Sequence, residues 1–251
     1  MTPVGPRCPE HAFARAAPRR ARMRMRMPTS RTRGVPTVTF GLIGLNVLVY
    51  LVTVAQGAGI NQPGGKLFEQ WALYGYGVGH GGWWRLITAA FLHGNLLHIG
   101  FNMFVLYAVG SAVEVFLGPL RYLALYLVSG LAGSAGALVA TPNGVTVGAS
   151  GAIFGIFGAL LIIEYQQTGS LAGQAMSLIA INLLISFTVP NISYGGHIGG
   201  LIGGILVTLT LSRFGRGHVA YGRPGLVGIG GLVLVAVASI AVSYWRVRGY
   251  A

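Results

Sequence analysis

The chain has 251 residues, 53% of them hydrophobic and 8% charged, with a formal net charge of +13. Soluble domains carry about 25% charged residues, so this composition excludes an ordinary water-soluble protein and points to a polytopic membrane protein. The positive charge is not a nucleic-acid footprint: most of it is crowded into one short tail, and no nucleic-acid partner is expected.

That tail is residues 1–35. It holds Arg7, Arg15, Arg19, Arg20, Arg22, Arg24, Arg26, Arg31 and Arg33. It reads as a disordered cytosolic segment whose "RARMRMRM" run lies against anionic lipid. Cys8 and His11 have the spacing of half a zinc site, but a structural site takes four ligands and no second pair lies near. No metal and no cofactor are expected, and with one cysteine no intrachain disulfide can form.

Apolar runs follow at 36–56, 94–113, 120–140, 150–166, 172–189, 196–212 and 225–245. Each is close to the roughly 17–25 residues that a bilayer core requires, and their continuous apolarity excludes the alternating strands of a barrel. The expected fold is all-α, a transmembrane bundle with a six-helix core over 36–212 and an additional helix at 225–245. A basic cytosolic loop at 213–224 and a short tail at 246–251 flank that last helix. Between the first two runs, 57–90 is too long for a turn and carries Trp71, Trp83 and Trp84. Aromatic residues favour the membrane interface, so this segment reads as a loop partly inserted against the bundle. The 41 glycines suit a membrane bundle, where small residues let helix backbones approach closely.

Positive residues beside a first span stay cytoplasmic, which puts the tail inside. Arg121, Arg213, Arg216 and Arg223 agree with that orientation. The uncharged loops 141–149 and 190–195 fall outside, and Arg246 and Arg248 end outside against the rule. Spans two, four and six then run from outside to inside. Their opening residues include His93, His98 and Asn102, then Ser150, then His197, all in the outer half of the membrane. Polar and ionisable groups inside spans are costly and mark function.

His98 and Asn102 are four apart and share one helix face. Ser150 opens a helix, where free N–H groups and the helix dipole favour negative charge. A serine nucleophile needs a base and donors for the oxyanion. His197 fits the first role; His98, Asn102 and the Ser150 N–H fit the second. The chain has no aspartate, and its four acidic residues are Glu10, Glu69, Glu114 and Glu164, none aimed at His197. The reading is therefore a Ser–His dyad whose base is oriented by packing, with Phe154 stacked on it. Gly151 and Gly155 after Ser150, and Gly200 and Gly204 after His197, have the spacing that brings two helices together. The bland alternative for Ser150 alone is a helix N-cap. His93 reads as a structural residue holding the first loop by hydrogen bonds. Trp84 and Arg85 read as interface anchors or loop anchors, and Glu114 as a structural partner of Arg121. Asn46 and Asn182 read as interhelix hydrogen-bonding residues, and His80 and His218 as solvated loop residues.

These residues resemble the rhomboid family of intramembrane serine proteases. The matching motifs are Trp84-Arg85, H-x4-H-x3-N (His93, His98, Asn102), "GASG" (Gly148 to Gly151) and H-x2-G-x3-G (His197, Gly200, Gly204), in family order across 36–212. The seventh run matches the variant with one added span. The resemblance implies a bacterial inner-membrane serine endopeptidase that hydrolyses a peptide bond in or near a substrate's transmembrane helix. Ser150 would be the nucleophile, His197 the base, and His98, Asn102 and Gly151 the oxyanion site. Substrate would enter sideways from the lipid between spans two and five. The family often has tyrosine where Phe154 stands. Two other readings compete: a rhomboid-like binder of transmembrane helices that does not cut, and a metal or proton transporter using His93, His98 and His197. The first usually lacks the serine or histidine, and the second usually carries intramembrane carboxylates. Substrate identity and oligomeric state are not legible.

Overall fold

The computed structural model describes residues 34–212 and 225–250. Cys8, His11, the basic tail, Arg213, Arg216, His218 and Arg223 lie outside the described residues. The first helix, α1, spans Thr37–Gln56, and α2 (Gly65–Trp71), α3 (Gly75–Gly79) and α4 (Arg85–Thr88) follow within the long loop. Next come α5 (Leu96–Val105) and α6 (Ser111–Leu117), joined through a π-helical turn into one continuous span, then α7 (Pro119–Ala140) and α8 (Ser150–Thr168). The remaining helices are α9 (Gln174–Thr188), α10 (Tyr194–Leu211) and α11 (Leu226–Val247).

By length and composition, α1, the α5–α6 span, α7, α10 and the helix opened by Leu226 are long and apolar enough to cross a membrane. α8 and α9 fall outside that group for different reasons. α9 has only 15 residues, and α8 ends in the polar run Glu164, Gln166 and Gln167. α8 has little need of a lipid-facing surface, since every residue from 152 to 161 is buried. The outer helices show the opposite: Leu48, Phe104, Leu184 and Leu234 are exposed, as expected where hydrocarbon replaces water.

Helix boundaries follow local chemistry. Gly118, at φ +84°, separates α6 from α7, whose first residue is Pro119, the position where a missing N–H costs nothing. Gly169 closes α8 in the left-handed region. The Glu114 carboxylate accepts hydrogen bonds from Val38 N, Thr39 N and Thr39 Oγ1 at 2.7–2.9 Å. It thus satisfies free donors at the start of α1, where a negative charge also complements the dipole. Glu164 accepts from Ala175 N at 3.0 Å at the start of α9. Asn46 of α1 meets the Tyr126 hydroxyl of α7, whereas Asn182 does not donate between helices as its sequence context suggested. Each Nδ2 bonds the carbonyl four residues back, Leu42 and Leu178, both at 2.8 Å. That bond is available within one helix and needs no neighbour.

The centre of the molecule is α10 packed between α7 and α8, and glycine makes the packing possible. A methyl group on Gly200 would overlap the Gly151 carbonyl oxygen, and one on Gly204 would overlap Gly155. On the other side, a methyl on Gly136 would overlap the Gly195 carbonyl oxygen, and one on Gly199 the Ala132 carbonyl oxygen. The long loop lies against the end of the bundle where α8 begins and contains three short helices, which its sequence did not announce. It is tied to 141–147 by an antiparallel bridge: Leu73 N–H donates to Thr146 O at 3.1 Å and Thr146 N–H to Leu73 O at 2.8 Å. α11 reaches the same end. There Val247 is buried with Leu73, Val78 and Leu86, and the Tyr250 hydroxyl donates to Asn143 Oδ1.

Gly204→Ala is expected to lower unfolding stability in detergent by about 1–3 kcal/mol, the usual cost of overpacking. Gly41→Ala, in α1 with open space around its Cα, is expected to cost nothing. Thermal unfolding of the two variants checks this; equal midpoints would contradict the close packing.

Candidate active site

α8 begins at Ser150, and its N-cap is Ala149, with no side-chain capping bond. The Ser150 hydroxyl is therefore not a cap. It lies 2.8 Å from His197 Nε2. His197 sits in the first turn of α10, which Ser193 caps by accepting from Gly196 N–H at 3.3 Å. The imidazole is buried, 7% exposed, and its face stacks on Phe154, with ring centroids 4.2 Å apart and planes 16° apart. Phe154 is held in turn by an edge contact to Phe157 at 5.5 Å. The second ring nitrogen, Nδ1, lies 2.6 Å from the Ser186 hydroxyl of α9. Packing was the only orienting force that sequence reasoning assigned to His197, and Ser186 was missed. The available signal was a serine in an apolar run eleven residues before His197. A membrane-helix serine commonly bonds its own i−4 carbonyl, and Ser186 does so with Asn182 O at 2.5 Å, so nothing in the sequence set it apart.

Gly148, at φ +123°, makes the turn into α8, a conformation that favours glycine. Its N–H donates to Ala89 O at 2.9 Å, which anchors the turn to the end of the long loop. A Cβ at Gly148 would lie 2.6 Å from His98 Nε2 and 3.6 Å from Asn102 Nδ2. So the α5 pair stands directly beside the turn that presents Ser150. Asn95 caps α5, accepting from His98 N–H at 2.8 Å. Gly94 N–H donates to His98 Nδ1 at 3.4 Å, a long bond that assigns Nδ1 as the acceptor and leaves the proton on Nε2. Asn102 is buried, and its Nδ2 has no hydrogen-bond partner. A buried donor left unpaired costs free energy, and an oxygen arriving beside Gly148 would satisfy it. Gly151, next to Ser150, packs against Gly133 and the Gly196 carbonyl, and the first N–H groups of α8 have no intrahelical partner.

The remaining predicted residues sit around this group. His93 is fully buried and meets His98 edge-on at 5.0 Å. Its ring has a backbone hydrogen-bonding contact with Phe91, at the end of the long loop. The loop is also held by the next motif. Trp84 Nε1 donates to Gln70 O at 3.0 Å, and Arg85 Nη1 donates to Glu69 O at 2.6 Å and Ala72 O at 2.7 Å. The Arg85 guanidinium also lies over the Tyr74 ring at 4.8 Å. His80 is exposed and stacks on Tyr76 at 3.9 Å. A cavity of about 30 Å³ borders Ser150, lined among others by Ala90, Gly130, Gly133 and Val147, with room for a water molecule. Among the described residues, no three His, Cys, Asp or Glu side chains converge as a metal site would require.

Residues 80–214, more than half of the chain, match the Rhomboid domain. The chain belongs to the rhomboid family. Among its relatives is the rhomboid protease GluP of Bacillus subtilis (strain 168), 36% identical over 214 residues, which cover 84% of this chain and 40% of GluP. YdcA of the same organism is 41% identical over 141 residues, 54% of this chain and 70% of that protein. RHOMBOID-like protein 5 of Arabidopsis thaliana is 36% identical over 155 residues, 57% of this chain and 49% of the plant protein. The chain thus spans well under two thirds of the length of GluP and of the plant relative. Family and helices together make this rhomboid a multi-pass membrane protein.

Arg85→Ala removes two hydrogen bonds from a charged donor, each worth about 1.5–3 kcal/mol. Trypsin cleavage at the exposed Lys66 in the loop is expected to speed up at least about tenfold. An unchanged rate would contradict the anchoring role.

Proposed function

We propose that this rhomboid is an intramembrane serine endopeptidase that cuts a peptide bond in or near the transmembrane helix of a membrane-protein substrate. The observation that carries the reading is the 2.8 Å contact between Ser150 Oγ and His197 Nε2, beside the unpartnered Nδ2 of Asn102. The relative named a rhomboid protease supports the same activity.

Ser150 Oγ attacks the scissile carbonyl carbon as His197 Nε2 takes its proton. The carbonyl oxygen becomes an oxyanion held by His98 Nε2–H, Asn102 Nδ2 and the N–H groups of Ser150 and Gly151 at the start of α8, where the helix dipole also favours negative charge. His197 then passes the proton to the leaving amine. Water, activated by the same imidazole, releases the acyl group from Ser150. Gly148 keeps the space for the oxyanion donors, and Phe154, Gly200 and Gly204 keep His197 against Ser150. His93 backs His98, and Trp84 and Arg85 hold the first loop over the site.

Substrate helices enter from the lipid between the α5–α6 span and α9. α9 supports this route: only Ala175, Ile179 and Ser186 of its residues are buried, and it exposes Ile181, Leu184 and Phe187. On this reading the protein lies in a bacterial inner membrane, with a cytoplasmic tail and the site in the outer half, an orientation supported by the positive residues beside the first span. Its domain plan is the basic tail 1–35, the core 36–212, the loop 213–224, the added helix and a short end at 246–251.

Purified protein in detergent is expected to react with a fluorophosphonate probe. Ser150→Ala and His197→Ala are each expected to lose labelling completely. Absence of labelling in folded wild type would leave the non-cutting helix binder as the account. A helical peptide bond must unwind before attack, so a substrate helix with Gly or Pro near the cleavage point is expected to be cut about tenfold faster than a uniform Leu helix, given propensity costs of about 1–3 kcal/mol. Equal cleavage rates in reconstituted vesicles would contradict the unwinding step.

A further inference from the structure

The dyad arrangement gives no carboxylate to His197, yet its Nδ1 is not idle. Nδ1 lies 2.6 Å from Ser186 Oγ, and that oxygen is also 2.5 Å from Asn182 O. Ser186 is 3% exposed, so water does not compete for these bonds.

A hydroxyl has one proton to donate and lone pairs to accept with. The Asn182 carbonyl can only accept. When the Ser186 proton goes to Asn182 O, Ser186 Oγ must accept at Nδ1, and Nδ1 must carry the hydrogen. Nε2 is then unprotonated and faces Ser150 Oγ with a lone pair, which is the tautomer a base needs. When the proton instead goes to Nδ1, Nε2 carries the hydrogen and His197 cannot take the Ser150 proton. The second bond from Ser186 to its own helix selects between the two. It also persists after proton transfer, because the imidazolium keeps Nδ1–H.

Resting on the protease reading, we infer that Ser186 is the positioning residue of His197: its hydroxyl, held by the Asn182 carbonyl, fixes the Nδ1–H tautomer and aims Nε2 at Ser150. The role that a buried carboxylate plays behind a histidine base is here taken by a neutral hydroxyl. It supplies direction without a second intramembrane charge, which would be costly. Ser186 belongs to α9, the helix on the proposed entry side. Its hold on His197 therefore couples the position of α9 to the state of the base.

The test measures inactivation by a fluorophosphonate probe, separating the maximal rate from the half-saturating concentration, with ¹⁵N spectra of His197 identified by their loss in His197→Ala. Wild type is expected to show a protonated Nδ1 and an unprotonated Nε2. Ser186→Ala is expected to lower the maximal rate about tenfold, the equivalent of one hydrogen bond of ~1.4 kcal/mol. The half-saturating concentration and the unfolding midpoint stay unchanged, and the tautomers become mixed. Ser186→Thr, which keeps the hydroxyl, restores the rate to within about twofold. A wild-type rate in Ser186→Ala, or a protonated Nε2 in wild type, overturns the positioning role while leaving the protease reading intact. Failure of wild type itself to react overturns both.

Discussion

Everything at this site depends on how near α8 and α10 can come to one another. Ser150 and His197 are each in the first turn of their helix, and their side chains are short. They can meet only if the two backbones touch, and Gly151 against Gly200 and Gly155 against Gly204 permit that contact. In a bilayer there is no hydrophobic gain from pressing two apolar helices together, because lipid tails are as apolar as leucine. Backbone proximity and dispersion contacts carry the association. The glycines that join the helices are thus also the residues that bring Ser150 and His197 together.

A second constraint comes from the end of the bundle where α8 begins. The turn Gly148–Ser150 hangs between α8 and the long loop, held by Gly148 N–H on Ala89 O and by the Leu73–Thr146 bridge. Arg85 and Trp84 tie the loop to itself through backbone carbonyls, and Val247 and Tyr250 at the end of α11 close it from the outside. The donors His98 and Asn102 come from α5, so the site joins three helices and one loop. The Ser150 side of the site is thus held from several directions, whereas α9 buries only Ala175, Ile179 and Ser186. The two regions lie on different helices, and Ser186 of α9 bridges them through its contact with His197.

Much of this was legible from residue type and period. Long apolar runs imply helices in lipid, and polar residues in those runs stand out because lipid makes them expensive. His98 and Asn102 at i, i+4, and the glycine spacing after Ser150 and His197, required only helix geometry. Other features were not legible. Ser186 looks like any serine satisfying itself on its own helix, and Asn182, read as an interhelix bridge, bonds its own helix instead. The short helices between 57 and 90 were hidden because a glycine-rich segment has weak helix propensity and is shaped by contact with the bundle.

The central claim is that Ser150, His197 and the α5 donors form one reactive centre. The most direct measurement is an experimental structure of the protein in lipid after reaction with a small fluorophosphonate. The account predicts phosphorus bonded to Ser150 Oγ, with the phosphoryl oxygen within hydrogen-bond distance of His98 Nε2 and Asn102 Nδ2. An adduct whose oxygen points away from α5, or an unmodified Ser150 with the two helices packed as described, would contradict it.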